Sequence, residues 1–233
     1  MKTLAIDTTA NTATCALVED GRVMAVSVVD GMLTHSETML PMIDEMLKKS
    51  SISTNDIDLF AVANGPGSFT GVRIGVATIK GLAFSSGKPC VEVSALAGLA
   101  KNLEGFDGLR VPVMDARRQQ VYTAIYNNEG NCIFPDSLIP LSELCEELLK
   151  YDQPIFLVGD GYSLAQKYIS ADERLSKRLK TTPASLIFHN AASVALLGES
   201  MSLSKISSTD LELHPKYLRD SQAERERKAK LNT

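Results

Sequence analysis

Gly65-Pro66-Gly67-Ser68-Phe69-Thr70-Gly71, running on into Val72-Arg73-Ile74-Gly75, is the stretch on which the reading of the fold turns. It follows an apolar run, Ile57–Ala63, that reads as a buried strand ending at Asn64, and it precedes Val72–Phe84, which reads as a helix. Three glycines and a proline in seven residues make a turn whose backbone can approach another group closely. Such a loop entering a helix also offers N–H groups and a positive dipole end to an anion. The pattern is neither of the familiar phosphate loops. Lys80 lies too far into the helix for the Gly-Lys-Ser/Thr arrangement, and the glycine spacing with an interior proline does not fit a dinucleotide fingerprint. Gly71 and Gly75 stand one turn apart, with Gly81 and Ala83 beyond, a stripe that lets a neighbour come close. Close packing is therefore favoured over phosphate binding.

Working outward, Leu4–Ile6 is apolar and stops at Asp7-Thr8-Thr9; Thr12–Val18 and Arg22–Val29 flank Asp20-Gly21, a strong hairpin signal. Thr34 with Glu37 fits a capping box, and Met39, Met42, Ile43, Met46 and Leu47 recur at helical spacing, with a kink expected at Pro41. Cys90–Val93 reads as a strand and Ser94 to about Asn102 as a helix. Glu104–Gly108 is the best candidate boundary. Beyond it come strands at Leu109–Met114, Val121–Tyr126 and Cys132–Phe134, and a helix Leu141–Leu149 capped by Ser142. A strand Ile155–Val158, Gly159-Asp160-Gly161 with a helix into Tyr168, and a last helix Asn190–Met201 follow. The halves share a plan, which suggests two lobes of similar topology about a cleft. The expected division is 1–104, 105–218, and a flexible, mixed-charge tail 219–233.

Composition excludes several classes. A net charge of −4 and pI near 5.5 give no basic field for direct nucleic-acid binding. No apolar run is long enough for a bilayer, and Met1-Lys2-Thr3-Leu4 lacks a signal-peptide layout, so a cytoplasmic chain is expected. Cys15, Cys90, Cys132 and Cys145 are scattered without metal-ligand spacing, and His35, His189 and His214 stand apart, so no metal site is expected. His35, at the head of the Met-rich helix, has no nucleophile beside it and reads as a polar helix-start or interface residue.

The strand, Asp7-Thr8-Thr9, second strand and Asp-Gly hairpin resemble the opening of the acetate kinase, hexokinase, Hsp70 and actin superfamily. Further strings narrow this: Ala5-Ile6-Asp7-Thr8, His35–Leu47 with Leu40-Pro41, the glycine string through Gly75, Asp115-Ala116-Arg117 with Val121-Tyr122, and Tyr217-Leu218-Arg219. Together they resemble the bacterial TsaB family of the tRNA threonylcarbamoyladenosine machinery. The resemblance implies a two-lobed α/β fold of the actin, Hsp70 and sugar-kinase kind, with ribonuclease H-like lobes of mixed sheets flanked by helices. It implies a non-catalytic scaffold for TsaD, the threonylcarbamoyl transferase acting on adenosine beside the anticodon. Where TsaD carries a His-x-x-x-His metal pair, this chain has Ala95 and Leu99, which cannot ligate a metal. Asp7, Thr8 and Thr9 then become a vestigial phosphate region, with Asp7 satisfying backbone donors at the strand end.

The implied partner interface comprises His35, Met39, Leu40, Met42, Ile43, Met46, Val72, Arg73, Val76, Ile79 and Lys80, beside the glycine loop Gly65, Gly67, Ser68, Phe69, Thr70 and Gly71. Met32, Met39, Met42 and Met46 are half of the methionines, and the apolar width, with Leu33 and Leu40, predicts an exposed patch across both helices. Expected partners are TsaD as heterodimer, TsaE recruited to the complex, a second copy when alone, and tRNA only through the complex; no membrane is expected. No cofactor is expected in the chain itself, with a nucleotide at the partner junction left open. The alternative is an ATP-dependent phosphotransferase or ATPase of the sugar-kinase type, favoured by Asp7 and the glycine loop. It is opposed by the short chain and by the weakness of Gly159-Asp160-Gly161 as an adenosine motif. A metallopeptidase lacks its ligand pair.

Overall fold

A computed structural model describes residues 1–31 and 34–219. The expectations for Met32, Leu33 and the tail from 220 onward lie outside the described residues.

Among the described residues ten strands form two five-stranded sheets. The first comprises β1 (Lys2–Asp7), β2 (Thr12–Glu19), β3 (Arg22–Asp30), β4 (Leu59–Ala63) and β5 (Cys90–Val93), in the order β3-β2-β1-β4-β5. The second comprises β6 (Leu109–Asp115), β7 (Gln120–Tyr126), β8 (Cys132–Pro140), β9 (Ile155–Val158) and β10 (Leu179–Lys180), in the order β8-β7-β6-β9-β10. Each sheet has an antiparallel meander on one side of its founding strand and parallel strands on the other. The repeated plan expected from the sequence is thus a repeated topology.

Helices α1 (His35–Lys49) and α2 (Phe69–Ser86) cover one face of the first sheet. Met39, Met42, Ile43, Met46 and Leu47 of α1 pack with Val72, Val76 and Ile79 of α2 over Leu4, Ile6, Leu17, Phe60 and Val62. Burying one such side chain contributes about 1.5–3 kcal/mol before entropy is charged. The other face of the sheet, Ala5, Ala16, Leu59 and Ala61, packs on α3 (Ala95–Lys101) and α7 (Ala191–Leu203), and the same cluster takes in Met114, Ala124 and Val158 of the second sheet. The α3–α7 layer therefore lies between the sheets. Both helices are buried over most of their length, and α7 reaches solvent at its C-terminal end, where Ser200 and Leu203 are exposed. Helices α4 (Leu141–Leu148) and α5 (Tyr162–Ile169) cover the far side of the second sheet, and α6 (Glu173–Ser176) adds Leu175 to that cluster.

Several expectations change. The chain does not divide once near 104. α7 returns to β1, β2 and β4, and its buried Glu199 accepts from the Thr3 hydroxyl (3.1 Å) and the Gly21 amide (2.8 Å). Residues 208–217 also run back over the first sheet: Ser208 bridges Cys90, and the Lys216 amide donates to the Asn64 carbonyl. Arg219 is no tail residue. Its guanidinium donates to the Ala116 carbonyl (2.7 Å) and the Gln120 side chain (3.0 Å). α1 is assigned as one helix from His35 to Lys49 with Pro41 inside it, on its exposed side. α2 starts three residues early, at Phe69, because Ser68 caps it by accepting from the Gly71 amide (3.3 Å). Pro140, not Ser142, is the cap of α4, and β8 runs on to it.

Candidate inter-sheet site

The founding strands of both sheets, β1 and β6, end at the same crevice, β1 in Asp7 and β6 in Asp115. A cavity of about 450 Å³ separates the sheets there. Thr9, Asn11, Gly67 and Ser68 line one wall, and Asp115, Arg117, Tyr122 and Asp160 line the other.

The first wall is sealed by the glycine loop. A Cβ at Gly67 would run into the Thr9 backbone, and one at Gly71 would run into the Thr8 carbonyl. Only glycine permits so close an approach, and the contacts are then used. The Ser68 amide donates to the Thr9 carbonyl (2.7 Å), and the Thr8 hydroxyl donates to the Gly71 carbonyl (2.7 Å). Phe69 stacks on Tyr217 with centroids 4.7 Å apart, and Arg73 lies over the Phe69 ring (4.0 Å) while donating from Nε to the Tyr217 hydroxyl (2.9 Å). Thus Tyr217-Leu218-Arg219, distant in sequence, clamps the start of α2 to the second sheet.

Behind this wall Asp7 and His189 form a buried pair. His189 Nδ1 donates to Asp7 Oδ2 (2.9 Å), while the Thr9 amide (2.8 Å) and hydroxyl (2.7 Å) donate to Oδ1. Burial pushes the Asp7 carboxyl up, but the His189 charge and the hydrogen bonds from His189 and Thr9 outweigh it and hold Asp7 below the usual range. For His189, burial pulls down, while the charge and hydrogen bond of Asp7, with Asp160 nearby, leave the ring above its ordinary value. Both oxygens of Asp7 are committed to protein donors. His189 Nε2 has no hydrogen-bond partner among the described residues, which is a cost borne by the fold.

The opposite wall is open. Asp115 is exposed, with its carboxylate accepting from the Arg117 amide (2.8 Å). Asp160 reaches solvent through the cavity yet is enclosed on its other sides, and burial pushes its carboxyl up against the pull of His189. Arg117, Arg118 and Gln119 take φ of 66°, 55° and 59°, three left-handed residues in a row. That conformation is costly for side chains with a Cβ. It is held by the Asp115 carboxylate, by the Gln120 amide on the Arg117 carbonyl and by the Leu141 amide on the Gln119 carbonyl. Among the described residues no group of three His, Cys, Asp or Glu could hold a metal. Ala95 and Leu99 are buried core residues of α3.

The residues named for a partner interface fare differently. Met39, Met42, Ile43, Met46, Val72, Val76 and Ile79 are sealed inside the monomer, because one apolar face of each helix is consumed by the first sheet. Among the described residues, the methionines expected to form an exposed patch, Met39, Met42 and Met46, are buried instead. Leu40 (54% exposed) and Phe84 (76%) are the large apolar groups on the outer sides, with Arg73 exposed and Lys80 half-buried. His35 Nε2 donates to the Ala10 carbonyl (2.7 Å), tying the head of α1 to the β1–β2 turn. Sequence reasoning missed the Asp7–His189 pair and did not single out Asp160. The equivalence of the two founding strands was the available signal for the Asp115 and Asp160 side. Nothing local pointed to His189.

Residues 32–227 match the family model for TsaD, tRNA N6-adenosine threonylcarbamoyltransferase. The chain is 35% identical over 96% of its length, and 96% of the relative's, to the tRNA threonylcarbamoyladenosine biosynthesis protein TsaB of Bacillus subtilis (strain 168). Its fold matches YeaZ from Pseudomonas aeruginosa with a TM-score of 0.74 and 25% identity, over 93% of this chain and 99% of that one. It also matches the ethanolamine utilization protein EutJ from Carboxydothermus hydrogenoformans, over 85% of this chain and 90% of that one, at 0.53 and 15% identity, a likeness of fold alone.

Proposed function

The chain belongs to the TsaD family, on its TsaB branch of tRNA threonylcarbamoyladenosine biosynthesis proteins, and from that premise we propose that it acts as a non-catalytic partner of TsaD. The observation that carries this reading is the fate of Ala95 and Leu99. The positions that would supply a metal pair are apolar and packed between the sheets, where no water, substrate or ion reaches them. The Asp7 carboxylate, the acid a phosphotransferase would use, is spent on Thr9 and His189. What remains is shape. The outer sides of α1 and α2, with Leu40, Arg73, Lys80 and Phe84, are the docking surface for TsaD. TsaE joins the assembled pair, and tRNA is met through the complex.

Reconstitution tests this. Threonylcarbamoyl transfer by TsaD with TsaE, the adenylate synthase and tRNA should require this chain, and omission without effect would defeat the proposal. For the surface, the double variant Leu40→Asp/Phe84→Asp should melt within a few degrees of the parent, because surface changes are worth about ±0.5 kcal/mol. It should nevertheless lose co-elution with TsaD on size exclusion. Retained co-elution would place the surface elsewhere.

A further inference from the structure

On the far side of the second sheet, α4 and α5 border a groove of about 650 Å³. Leu141, Cys145, Leu164, Tyr168 and Ala171 give it an apolar lining. Leu164 (37% exposed) and Tyr168 (40%) leave much of their apolar surface uncovered. The two flanks carry opposite charge. Lys167 stands on the α5 side. Glu143 and Glu146 stand on the α4 side, in an adjoining depression that shares Ser142 with the groove. All three are exposed and make no ion pair among the described residues. The neighbouring pairs, Lys150–Glu147, Arg174–Asp172 and Lys177–Glu173, use other side chains.

The described chain leaves at the rim of this groove. Arg219 donates to the Ala116 carbonyl and to the Gln120 side chain. Gln119, beside Gln120, lines the groove, and its carbonyl accepts the Leu141 amide that opens α4. Fourteen residues follow, 220–233, enough to reach about 45 Å when extended. Their middle reads Glu224-Arg225-Glu226-Arg227, acid and base in alternation. Extended backbone turns alternate side chains to opposite sides. We propose that residues 220–233 turn back across Arg117–Gln119 and lie extended in the α4–α5 groove, with Glu224 and Glu226 toward Lys167 and with Arg225 and Arg227 toward Glu143 and Glu146. Leu231, the one large apolar side chain of the segment, then rests on the apolar lining. The order of charges along the segment matches the two flanks. Its attachment at the rim also gives it a high effective concentration there, which a separate peptide lacks. The strap continues the clamp that Tyr217 and Arg219 place on the start of α2, so one segment links the glycine loop to the outer face of the second sheet. It leaves the outer sides of α1 and α2 free.

Cys145 reports on the groove, and the exposed Cys132 of β8 serves as an internal reference. Alkylation of each thiol by iodoacetamide is followed in the full chain by peptide mass spectrometry. Cys145 should react on the order of tenfold faster in Arg225→Glu/Arg227→Glu, and equally so in Glu143→Arg/Glu146→Arg, than in the parent, with Cys132 unchanged. Combining all four changes should restore the slow reaction, because the charges are opposed again. A change that merely loosened α4 would not be rescued in this way. High salt should bring the parent toward the rate of the double variants. Dilution should leave the parent rate unchanged, since the contact lies within one chain. Equal Cys145 rates in the parent and both double variants would show that the segment does not cover the groove. Protection that fades on dilution would assign the cover to another copy. Either result overturns the proposal.

Discussion

The ends of β1 and β6 occupy equivalent places in two sheets of the same strand order, and each ends in an aspartate. Their fates are opposite. Asp7 is 1% exposed, paired with His189 and bonded twice by Thr9. Asp115 is exposed and bonds the Arg117 amide. The difference lies in what lies over each strand end. At β1 the glycine loop descends to van der Waals contact with Thr8 and Thr9, and residues reaching to Arg219 clamp it down. At β6 the Arg117–Gln119 turn arches outward and leaves the cavity open. Equal topology fixes where an acid is placed. The covering loop decides whether it meets water.

Removing His189 should break this contrast most strongly. His189→Ala leaves Asp7 charged, buried and short of a partner, a change that costs about 3–5 kcal/mol and should appear as a large fall in the chemical-denaturation midpoint. Its pH dependence has a definite sign. The raised His189 pKa gives stability that is full below the ring's ordinary value of 6.5 and is lost as pH rises through the folded value. The lowered Asp7 pKa gives stability present above its ordinary value of 3.8 and lost as pH falls through the folded one. The stability gap between the parent and a His189→Gln variant should therefore be widest between those two values and narrow on both sides. A flat gap would mean that the pair is not ionised.

Gly71→Ala sharpens the comparison from the loop side. The added carbon meets the Thr8 carbonyl, a backbone atom that can move only with β1, so a loss of about 1–3 kcal/mol is expected from overpacking. Thermal unfolding measures it, and a neutral result would show that the loop has slack. The smallest effect belongs to the open wall. Asp115→Ala removes one bond at an exposed turn and should change stability by about 1 kcal/mol or less. A loss as large as that at His189 would mean that the two strand ends are equally built in.

The glycine string was legible as a tight turn in which close packing is favoured over an anion contact, because three glycines and a proline in seven residues let the backbone approach another group. The meanders were legible from alternation and the Asp20-Gly21 turn. Helix α1 was legible as a helix from Met39, Ile43 and Met46, but the same residues gave a wrong surface. Apolar width on a helix says how much must be covered and is silent on whether the cover is the chain's own sheet or another molecule. α7 was legible as a helix, but nothing in its residues said which sheet it would cover. Ala95 and Leu99 were legible as side chains that cannot ligate a metal, since neither carries a lone-pair donor.

The sequence by itself determined the strand and helix types, the repeated plan and the family. Each of these rests on local periodicity, on backbone freedom at glycine or on the chemistry of single side chains. Tertiary structure alone decided that α7 and residues 208–217 return to the first sheet, that Asp7 meets a histidine 182 positions away, and which apolar groups face solvent. These depend on long-range packing, where a segment's partner is whichever buried surface remains uncovered, and no short window of residues encodes that choice.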